Sequence, residues 1–368
     1  KRGGKGVSGG SLKEDDVVTN LFVANTHTPL LFFTTDGMAY KLKTWRLPQG
    51  SRTSKGKAIV NILPIPTGVS IAAIMPVDRP EEHWDELQIV FATSAGDVRR
   101  NQLSDFTNVK SNGKIAMKLP DAGDVSLVNA RICTEEDDVM LVTDSGRAIR
   151  FRTTDVRVFK GRDSTGVRGI RLHGDDTVVS MAVIRHFEAS SEDRTAYLKQ
   201  RRMMAGAPED EIEDEEEGAA AGPLSTEAFN AMSEAEDLIL TITAKGSGKL
   251  SSSHDYPVRG RGGMGVAAMD KAMRGGPLVA CFPVETSDQV MLATSTGQSI
   301  RVPVEGISFR SRSAGGVKVF NTSGSETVVS VAWIADQGDD DAEVSGETDG
   351  TEDGNAHGGD AAIQTSSE

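Results

Sequence analysis

The first residues of the chain, Lys1–Gly6, could do chemistry because they place three cations among three glycines. A glycine-rich loop lets main-chain N–H groups approach an anion closely. The cations Lys1, Arg2 and Lys5 add charge and hydrogen-bond donors that suit phosphate oxygens. The segment therefore predicts a phosphate-binding loop, although a flexible basic terminus is the simpler interpretation of six residues taken alone.

Weaker versions of this loop return five times along the chain, and we call them box-like loops 1 to 5. In chain order they are Ser51–Lys57, Val109–Lys114, Gly161–Gly169, Arg259–Gly265 and Arg310–Lys318. Each cation alone is more often a solvated surface charge. Cations that recur in five loops favour an extended track for a polyanion instead.

Three patterns resemble enzyme motifs, and none has the context that its chemistry needs. Gly6–Gly10 fits the nucleophile elbow, but no apolar strand precedes it. Gly260–Gly265 fits a dinucleotide-binding loop, but it does not follow a buried strand. Gly50–Lys57 resembles a Walker loop with one residue too many and Ala58 in place of Ser or Thr. The histidines show no ligand spacing, so we expect neither a catalytic residue nor a metal site in this chain.

The formal net charge of −14 is unevenly distributed. The segments 188–237 and 337–368 hold 25 of the 54 acidic residues and only 4 of the 40 basic ones, which leaves a body of about +7. A basic body with two acidic appendages is typical of a regulated binder of polyanions. No apolar run is long enough to span a bilayer. The two cysteines, Cys133 and Cys281, indicate a reducing compartment such as the cytoplasm.

Strand–turn–strand patterns must position the basic loops. Each begins with an apolar β-rich run, turns at a glycine, and continues into a second run that carries cations. The hairpin glycines, which number repeats 1 to 5, are Gly37, Gly96, Gly146, Gly246 and Gly297. A box-like glycine follows each of them after 17 to 20 residues. The near-constant interval indicates one structural unit repeated along the chain.

Two further apolar stretches complete each unit. After the box-like loops come Ala58–Leu63, Lys114–Leu119, Val167–Leu172, Val266–Met269 and Val317–Phe320. The next expected strands are Ser70–Val77, Leu127–Ile132, Val178–Ile184, Leu278–Val284 and Val328–Ile334. About four short strands over roughly 50 residues predict an all-β fold of propeller-like blades. A β-sandwich with chance spacing is the alternative.

One interval between hairpin glycines is about 50 residues longer than the others, because the segment 189–236 is inserted there. Its acidic run predicts disorder, with short helices at its ends over Ala196–Met204 and Thr226–Glu234. The tail 337–368 is rich in Gly, Asp, Glu and Ser, and we expect it to be disordered as well. The predicted folded domain is therefore 1–336, with a half-unit at Lys1–Ala24 that brings the number of blades to six.

The loops and their spacing resemble the C-terminal domain of bacterial DNA gyrase A, over about 1–188 and 237–336. The box of that family reads Gln, a cation, Arg, Gly, Gly, a cation, Gly, and Lys1–Gly6 match its last six positions. The Gln is absent before Lys1, so we expect the chain to be part of a longer one. The resemblance implies a six-bladed β-pinwheel in which neighbouring blades exchange a strand. The matching C-terminal domain of topoisomerase IV lacks an intact box and is one alternative; a propeller scaffold that binds protein is another.

The resemblance further implies that the domain binds and wraps double-stranded DNA without sequence preference. The expected DNA-binding residues are Lys1, Arg2, Gly3, Gly4, Lys5, Gly6, Arg52, Lys55, Lys57, Lys110, Lys114, Arg162, Arg168, Arg259, Arg261, Arg310, Arg312 and Lys318. In the complete enzyme, DNA gyrase B and a second copy of DNA gyrase A would be the partners, on the DNA of the nucleoid. ATP and Mg would be used by other domains, so that strand passage introduces negative supercoils. No cofactor is expected in this chain itself.

Overall fold

The computed structural model describes residues 22, 24–50, 56–121, 123–162, 164–207, 224–270, 275–322 and 324–334. Lys1–Gly6, most of box-like loop 1, the centre of the acidic insert and the tail 337–368 lie outside these residues. Within the described part, strands dominate and two α-helices occur. The predicted all-β class is confirmed.

Nineteen strands form among the described residues. They are β1 Pro29–Thr34, β2 Met38–Lys43, β3 Ile71–Pro76, β4 Gln88–Thr93, β5 Asp97–Gln102, β6 Lys114–Ile115, β7 Leu127–Cys133, β8 Asp137–Thr143, β9 Arg147–Arg152, β10 Val167–Arg168, β11 Val178–Arg185, β12 Leu238–Thr243, β13 Ser247–Ser252, β14 Val266–Ala267, β15 Leu278–Val284, β16 Gln289–Thr294, β17 Ser299–Pro303, β18 Val317–Lys318 and β19 Val328–Ile334. The helices are α1 Ser191–Met204 and α2 Thr226–Glu234.

Four sheets have four strands each, and each sheet is built around one predicted hairpin. Their strand orders are β3-β1-β2-β6, β10-β5-β4-β7, β11-β8-β9-β14 and β15-β12-β13-β18. In every sheet the fourth strand is a two-residue segment that follows the box-like loop of the next repeat. This is the strand exchange that the resemblance implied, and it is confirmed. Repeat 5 forms the sheet β17-β16-β19, with three strands among the described residues.

The hairpin glycines serve both the turn and the exchange. Gly37, for example, has φ of +83°, a left-handed conformation that favours glycine. A Cβ on Gly37 would also lie 2.2 Å from the main-chain oxygen of Met117, in the next repeat. The carbonyl of Gly37 in turn accepts the N–H groups of Ala116 and Met117. The glycine is therefore required by the junction between repeats as much as by the turn itself.

The core lies between neighbouring sheets. The first strand of each hairpin is buried on both faces, which explains why these strands read as continuous apolar runs rather than alternating ones. Between repeats 1 and 2, the ring of Phe33 lies 5.3 Å from that of Phe91 and 5.6 Å from that of Phe106. Such edge-to-face contacts, repeated from one sheet to the next, give each repeat a core only when its neighbour is present.

The stretch Ala58–Leu63 differs from its predicted counterparts. It contains a 3-10 turn, Ile59–Asn61, where the other repeats have a short exchanged strand. Leu63 and Ile65 are buried in the cluster that holds Leu30 and Phe32, so the apolar residues after loop 1 pack on their own repeat. The expectation of a strand here is wrong for that reason.

The ends of the acidic insert are ordered, whereas we expected disorder across 189–236. Ser190 caps α1 by accepting the N–H of Asp193, and Ser225 caps α2 by accepting that of Ala228. Acidic residues in the first turn of α1 and arginines in its last turn match the helix dipole. Buried apolar residues, described below, hold both helices against repeat 4. The two predicted helices are confirmed, and α1 starts five residues earlier than expected.

Candidate nucleic-acid interface

Each described box-like loop packs against the edge of the preceding repeat. The segments that lead into loops 3, 4 and 5 donate a main-chain N–H to the fourth residue after the preceding hairpin glycine. The bonds are Phe159 N to Arg100 O, Arg259 N to Arg150 O and Arg310 N to Leu250 O, each 2.8 Å long. The repeated sequence spacing therefore becomes a repeated position on one edge of the fold.

The last glycine of each loop is required by a close approach of two main chains. Gly166 has φ of +86°, and a Cβ there would lie 2.3 Å from the carbonyl oxygen of Val98. Gly265 has φ of +70°, and its Cβ would lie 2.4 Å from the oxygen of Ala148. Any other residue would be strained and would push the loop off the neighbouring strand. For these two glycines the contact is with protein, whereas the sequence suggested contact with an anion.

Loops 3, 4 and 5 touch one another in succession. Gly262 of loop 4 donates its N–H to Gly169 O at 2.6 Å, and Arg171 donates to Gly263 O at 2.8 Å. Farther along, Asp270 N donates to Ser313 O of loop 5 at 2.8 Å. The three loops therefore form a continuous row, which we call the loop row (161–171, 259–270 and 310–318).

The described cations of the predicted site fall into two exposure groups. The exposed ones are Lys57, Lys110, Arg168, Arg259, Arg261 and Lys318. The half-buried ones are Lys114, Arg162, Arg310 and Arg312. The remaining predicted residues, Lys1, Arg2, Gly3, Gly4, Lys5, Gly6, Arg52 and Lys55, lie outside the described residues, and their contacts stay predictions.

Lys114 and Arg162 bring positive charge from loops 2 and 3 together. Burial is the largest cause that lowers the pKa of Lys114, and the nearby charge of Arg162 lowers it further. The Lys114 ammonium also donates to the carbonyls of Asp105 and Asn108. Two like charges held this close suit a shared anionic ligand, because the anion would relieve their repulsion.

Arg261 and Arg312 form an equivalent clamp between repeats. The Nε of Arg261 donates to Asp155 O at 2.9 Å and its Nη1 to Arg168 O at 3.0 Å. The Nε of Arg312 donates to Asp255 O at 2.9 Å and its Nη1 to Ala267 O. Arg162 makes a longer bond, 3.4 Å, to Asp105 O, which is the carbonyl equivalent to those of Asp155 and Asp255. These arginines join repeats, so their predicted DNA contact is not their only task.

Buried cations lie beneath loops 3 and 5, and sequence reasoning missed them. Both occupy the third position after the hairpin glycine of the preceding repeat. Arg99 donates to Ser164 O at 2.8 Å, and the ammonium of Lys249 donates to Ser311 O at 2.8 Å, to Ala314 O at 2.7 Å and to Arg312 O. Both residues are 0% exposed. The available signal was their fixed register, which differs by one residue from the cations Lys41, Arg100 and Arg150.

Arg171 is another residue that the sequence did not single out. It is exposed and lies at the junction of loops 3 and 4, where its N–H bonds to Gly263 O. Its side chain extends the charge of Arg168 and Arg259 along the loop row. Only the position of the junction, which no motif encodes, could have identified it.

The loop row offers cations and main-chain groups, and its loops contain no aromatic residue. This composition suits contacts to phosphate oxygens and gives no platform for stacking bases. Among the described residues, no helix is long and apolar enough to cross a membrane.

A family model described as DNA gyrase C-terminal domain, beta-propeller, matches this chain in six segments. They are residues 1–25, 28–78, 88–134, 137–185, 237–285 and 288–332. The described insert helices fall between the fourth and fifth of these segments. The first segment coincides with the predicted half-unit, so the family model also counts six repeats.

Curated relatives with similar sequences are named as the A chain of DNA gyrase. The protein of Granulibacter bethesdensis is 44% identical over 92% of this chain, and that of Rickettsia bellii is 41% identical over 94%. The chain spans 38% of the length of each relative. Among solved structures, the C-terminal domain of DNA topoisomerase IV aligns with a TM-score of 0.62 at 20% identity, covering 84% of this chain and 80% of that one. A DNA gyrase A C-terminal domain aligns with a TM-score of 0.60 at 18% identity, covering 85% and 84%. At these identities the two structures show a common fold.

Proposed function

Because this chain belongs to the DNA gyrase C-terminal domain, beta-propeller, family, we propose that it binds double-stranded DNA and bends it along the loop row. The observation that carries the proposal is the continuity of loops 3, 4 and 5, whose exposed cations include Arg168, Arg259 and Lys318. A curved row of phosphate contacts holds a duplex in a bent path.

The chemistry of the row favours contact with the DNA backbone. Lysine and arginine neutralise phosphates and release counterions, which supplies affinity without sequence preference. Bending a duplex of 20–30 base pairs costs about 1–6 kcal/mol. Repeated loops offset this cost because each one adds its own phosphate contacts as the duplex follows the edge of the fold.

For the complete protein we infer the role of DNA gyrase A, in the cytoplasm and on nucleoid DNA. Its partners would be DNA gyrase B and a second copy of DNA gyrase A. The bent duplex would enter the cleavage site of other domains with a fixed handedness, and ATP-driven strand passage, with Mg, would introduce negative supercoils. The names of the relatives at 44% and 41% identity favour this role over that of the corresponding protein of topoisomerase IV.

The affinity for a linear duplex, measured against salt concentration, tests the DNA-binding proposal. If the chain neutralises about 6–10 phosphates, log K against log salt should fall with a slope of about −5 to −9. Duplexes of unrelated sequence should give the same slope. A slope near −1 in the same titration would refute the row as a phosphate track and favour a protein-binding scaffold.

The first six residues are tested in the full-length protein together with DNA gyrase B. Replacing Lys1, Arg2 and Lys5 by Ala should weaken DNA binding modestly, because the other loops remain. Supercoiling should fall much further, since we propose that Lys1–Gly6 hold the last part of the bent duplex. Normal supercoiling by the triple variant would show that these residues do not anchor the DNA.

A further inference from the structure

The two insert helices cover one surface of repeat 4. Tyr197 and Leu198 of α1 and Met232 of α2 are buried in a common cluster. The ring of His254 lies 5.2 Å from that of Tyr197, in an edge-to-face arrangement. The Nε2 of His254 is 2.8 Å from the oxygen of Met232. The 3-10 turn Ser253–Asp255 is thus the docking point of the helices.

This docking point is open in repeats without an insert. His254 follows its hairpin glycine by eight residues, and the same position is occupied by Trp45, Thr154 and Glu305 in repeats 1, 3 and 5. Trp45 is 56% exposed, and Thr154 and Glu305 are also exposed, whereas His254 is 4% exposed. The insert therefore gives repeat 4 a contact that these repeats do not have.

Asp255, the last residue of this turn, connects helix α1 to box-like loop 5. Its Oδ2 accepts Arg202 Nη2 at 3.0 Å and the main-chain N–H of Arg312 at 2.7 Å. Both partners of this carboxylate are largely buried, with the Arg202 side chain 3% exposed. A carboxylate held by a buried guanidinium has one orientation, so the N–H of Arg312 is held as well.

A second contact connects the same helix turn to the segment that enters loop 5. The guanidinium of Arg201 lies over the ring of Phe309 at 4.5 Å, and its Nε is paired with Glu236 at 3.0 Å. Phe309 forms a parallel bridge with Leu250 just before the loop begins. The C-terminal turn of α1 therefore contacts loop 5 directly through Arg201 and indirectly through Asp255.

We propose that Arg202 and Asp255 are positioning residues that fix loop 5 in its DNA-binding geometry, so that the insert sets the contribution of repeat 5 to DNA affinity. The proposal rests on the DNA-binding function proposed above. It predicts that loosening α1 weakens DNA binding although neither residue contacts DNA. The cation set of loop 5, Arg310 and Lys318, carries the effect.

The test compares Arg202→Met with Lys199→Met, in the whole chain. Lys199 is exposed on the same helix, so both variants lose one positive charge from α1. Affinity for a linear duplex should fall roughly three- to tenfold further in Arg202→Met, at about 50 mM salt where screening is weak. Arg202→Lys should recover part of the loss, because an ammonium still reaches the carboxylate.

The effect must depend on loop 5. In a background with Arg310→Ala and Lys318→Ala, Arg202→Met should cause little further loss, whereas in a Lys110→Ala background the full loss should remain. Hydrogen exchange of loop 5 gives a readout that needs no DNA: amides 310–316 should exchange faster in Arg202→Met than in Lys199→Met. If Arg202→Met does not fold, Asp255→Asn is the second variant, because it keeps an oxygen for the Arg312 N–H while removing the charge.

The outcomes separate this proposal from the proposed function. Equal DNA affinity and equal loop 5 exchange in Arg202→Met and Lys199→Met, with the fold retained, would overturn the positioning role. A shallow salt slope of the unsubstituted chain would overturn DNA binding instead. Faster exchange of loop 5 in the latter case would still support the mechanical link while removing its consequence for DNA.

Discussion

Box-like loops 2 and 5 rest on the same edge of the preceding repeat, but different side chains lie beneath them. Under loop 2 is the ring of Tyr40, so close that a Cβ on Gly113 would lie 2.8 Å from its Cε1. Under loop 5 is the ammonium of Lys249, which donates to the carbonyls of Ser311, Arg312 and Ala314. Both side chains occupy the third position after a hairpin glycine.

The difference shows that one loop position can be supported in two ways. An apolar support needs a glycine where the loop crosses the ring, as at Gly113. A cationic support needs loop carbonyls that turn inward, as Lys249 and Arg99 both have. A charge buried in a low-dielectric site just under the surface also raises the positive potential above it. Loops 3 and 5 thus combine a structural support with a contribution to the field.

Removing the cation beneath loop 5 should give the largest effect. Lys249→Met leaves loop carbonyls without the buried ammonium, and the free energy of unfolding should fall by about 3 kcal/mol. Urea denaturation monitored by circular dichroism measures it. Lys110→Met is the matched control: it removes an exposed lysine of loop 2 and should change stability by less than about 0.5 kcal/mol.

The corresponding change beneath loop 2 should be small. Tyr40→Phe keeps the ring under Gly113 and removes only the 3.3 Å hydrogen bond from its hydroxyl to Pro64 O. A loss of less than about 1 kcal/mol is expected. If Tyr40→Phe destabilised the chain as much as Lys249→Met, the distinction between apolar and cationic supports would be wrong.

The next effect separates two arginines of neighbouring loops. Arg312→Ala removes the clamp to Asp255 O and Ala267 O, and it should lower the free energy of unfolding by about 1–2 kcal/mol. Arg259→Ala, at an exposed side chain, should change it by less than about 0.5 kcal/mol. Thermal denaturation of both variants gives the comparison. Equal stability of the two would mean that the clamp does not hold the repeats together.

DNA binding should distinguish the same loops in the opposite sense. Arg259→Ala should reduce the salt slope for a linear duplex by about 1, the signature of one lost phosphate contact. Arg99→Met, beneath loop 3, should reduce affinity through the shape of the loop and also reduce stability. An unchanged slope in Arg259→Ala would remove that residue from the interface.

The repeat architecture could be predicted from the sequence because it depends on local signals. Hairpin glycines such as Gly37 and Gly246 recur at readable spacing, and apolar runs mark the strands between them. The exchanged strands are only two residues long, as in Val167–Arg168, and no periodicity can assign so short a segment to a neighbouring sheet. That feature came from the family resemblance.

The roles of individual cations could not be predicted, because charge in a sequence does not reveal what surrounds it. Arg259 and Arg261 are two residues apart in one loop, yet only Arg261 was found to clamp the preceding repeat. Lys249 reads as a surface lysine in the sequence and is 0% exposed in the structure. The insert misled for a related reason: its acidic centre dominates the composition, while Tyr197 and Met232, which dock its ends, are few.

The helices that dock on repeat 4 offer a last comparison, because His254 is buried where repeat 1 has the exposed Trp45. Burial is the largest cause that lowers the pKa of His254. The charge of Arg150 lowers it further, while the bond to Met232 raises it. The helices therefore pack against a neutral imidazole, which makes this docking sensitive to acid and the docking-free repeat 1 insensitive.

Acidification should give the smallest effect. Since the folded-state pKa of His254 is below its unfolded value of about 6.5, the unfolded chain binds the proton more readily, and stability is full above about pH 6.5 and declines below it. The carboxylates of Glu236 and Asp237 oppose the shift, so the decline should be modest. Thermal midpoints of the chain and of His254→Gln, measured between about pH 5 and 8, should converge above pH 6.5 in slope and diverge below it, with the variant losing less. His83→Gln, at an exposed histidine, is the control and should follow the unsubstituted chain. Parallel pH profiles of the unsubstituted chain and His254→Gln would show that another group governs the acid response and that the helices dock without regard to the charge of His254.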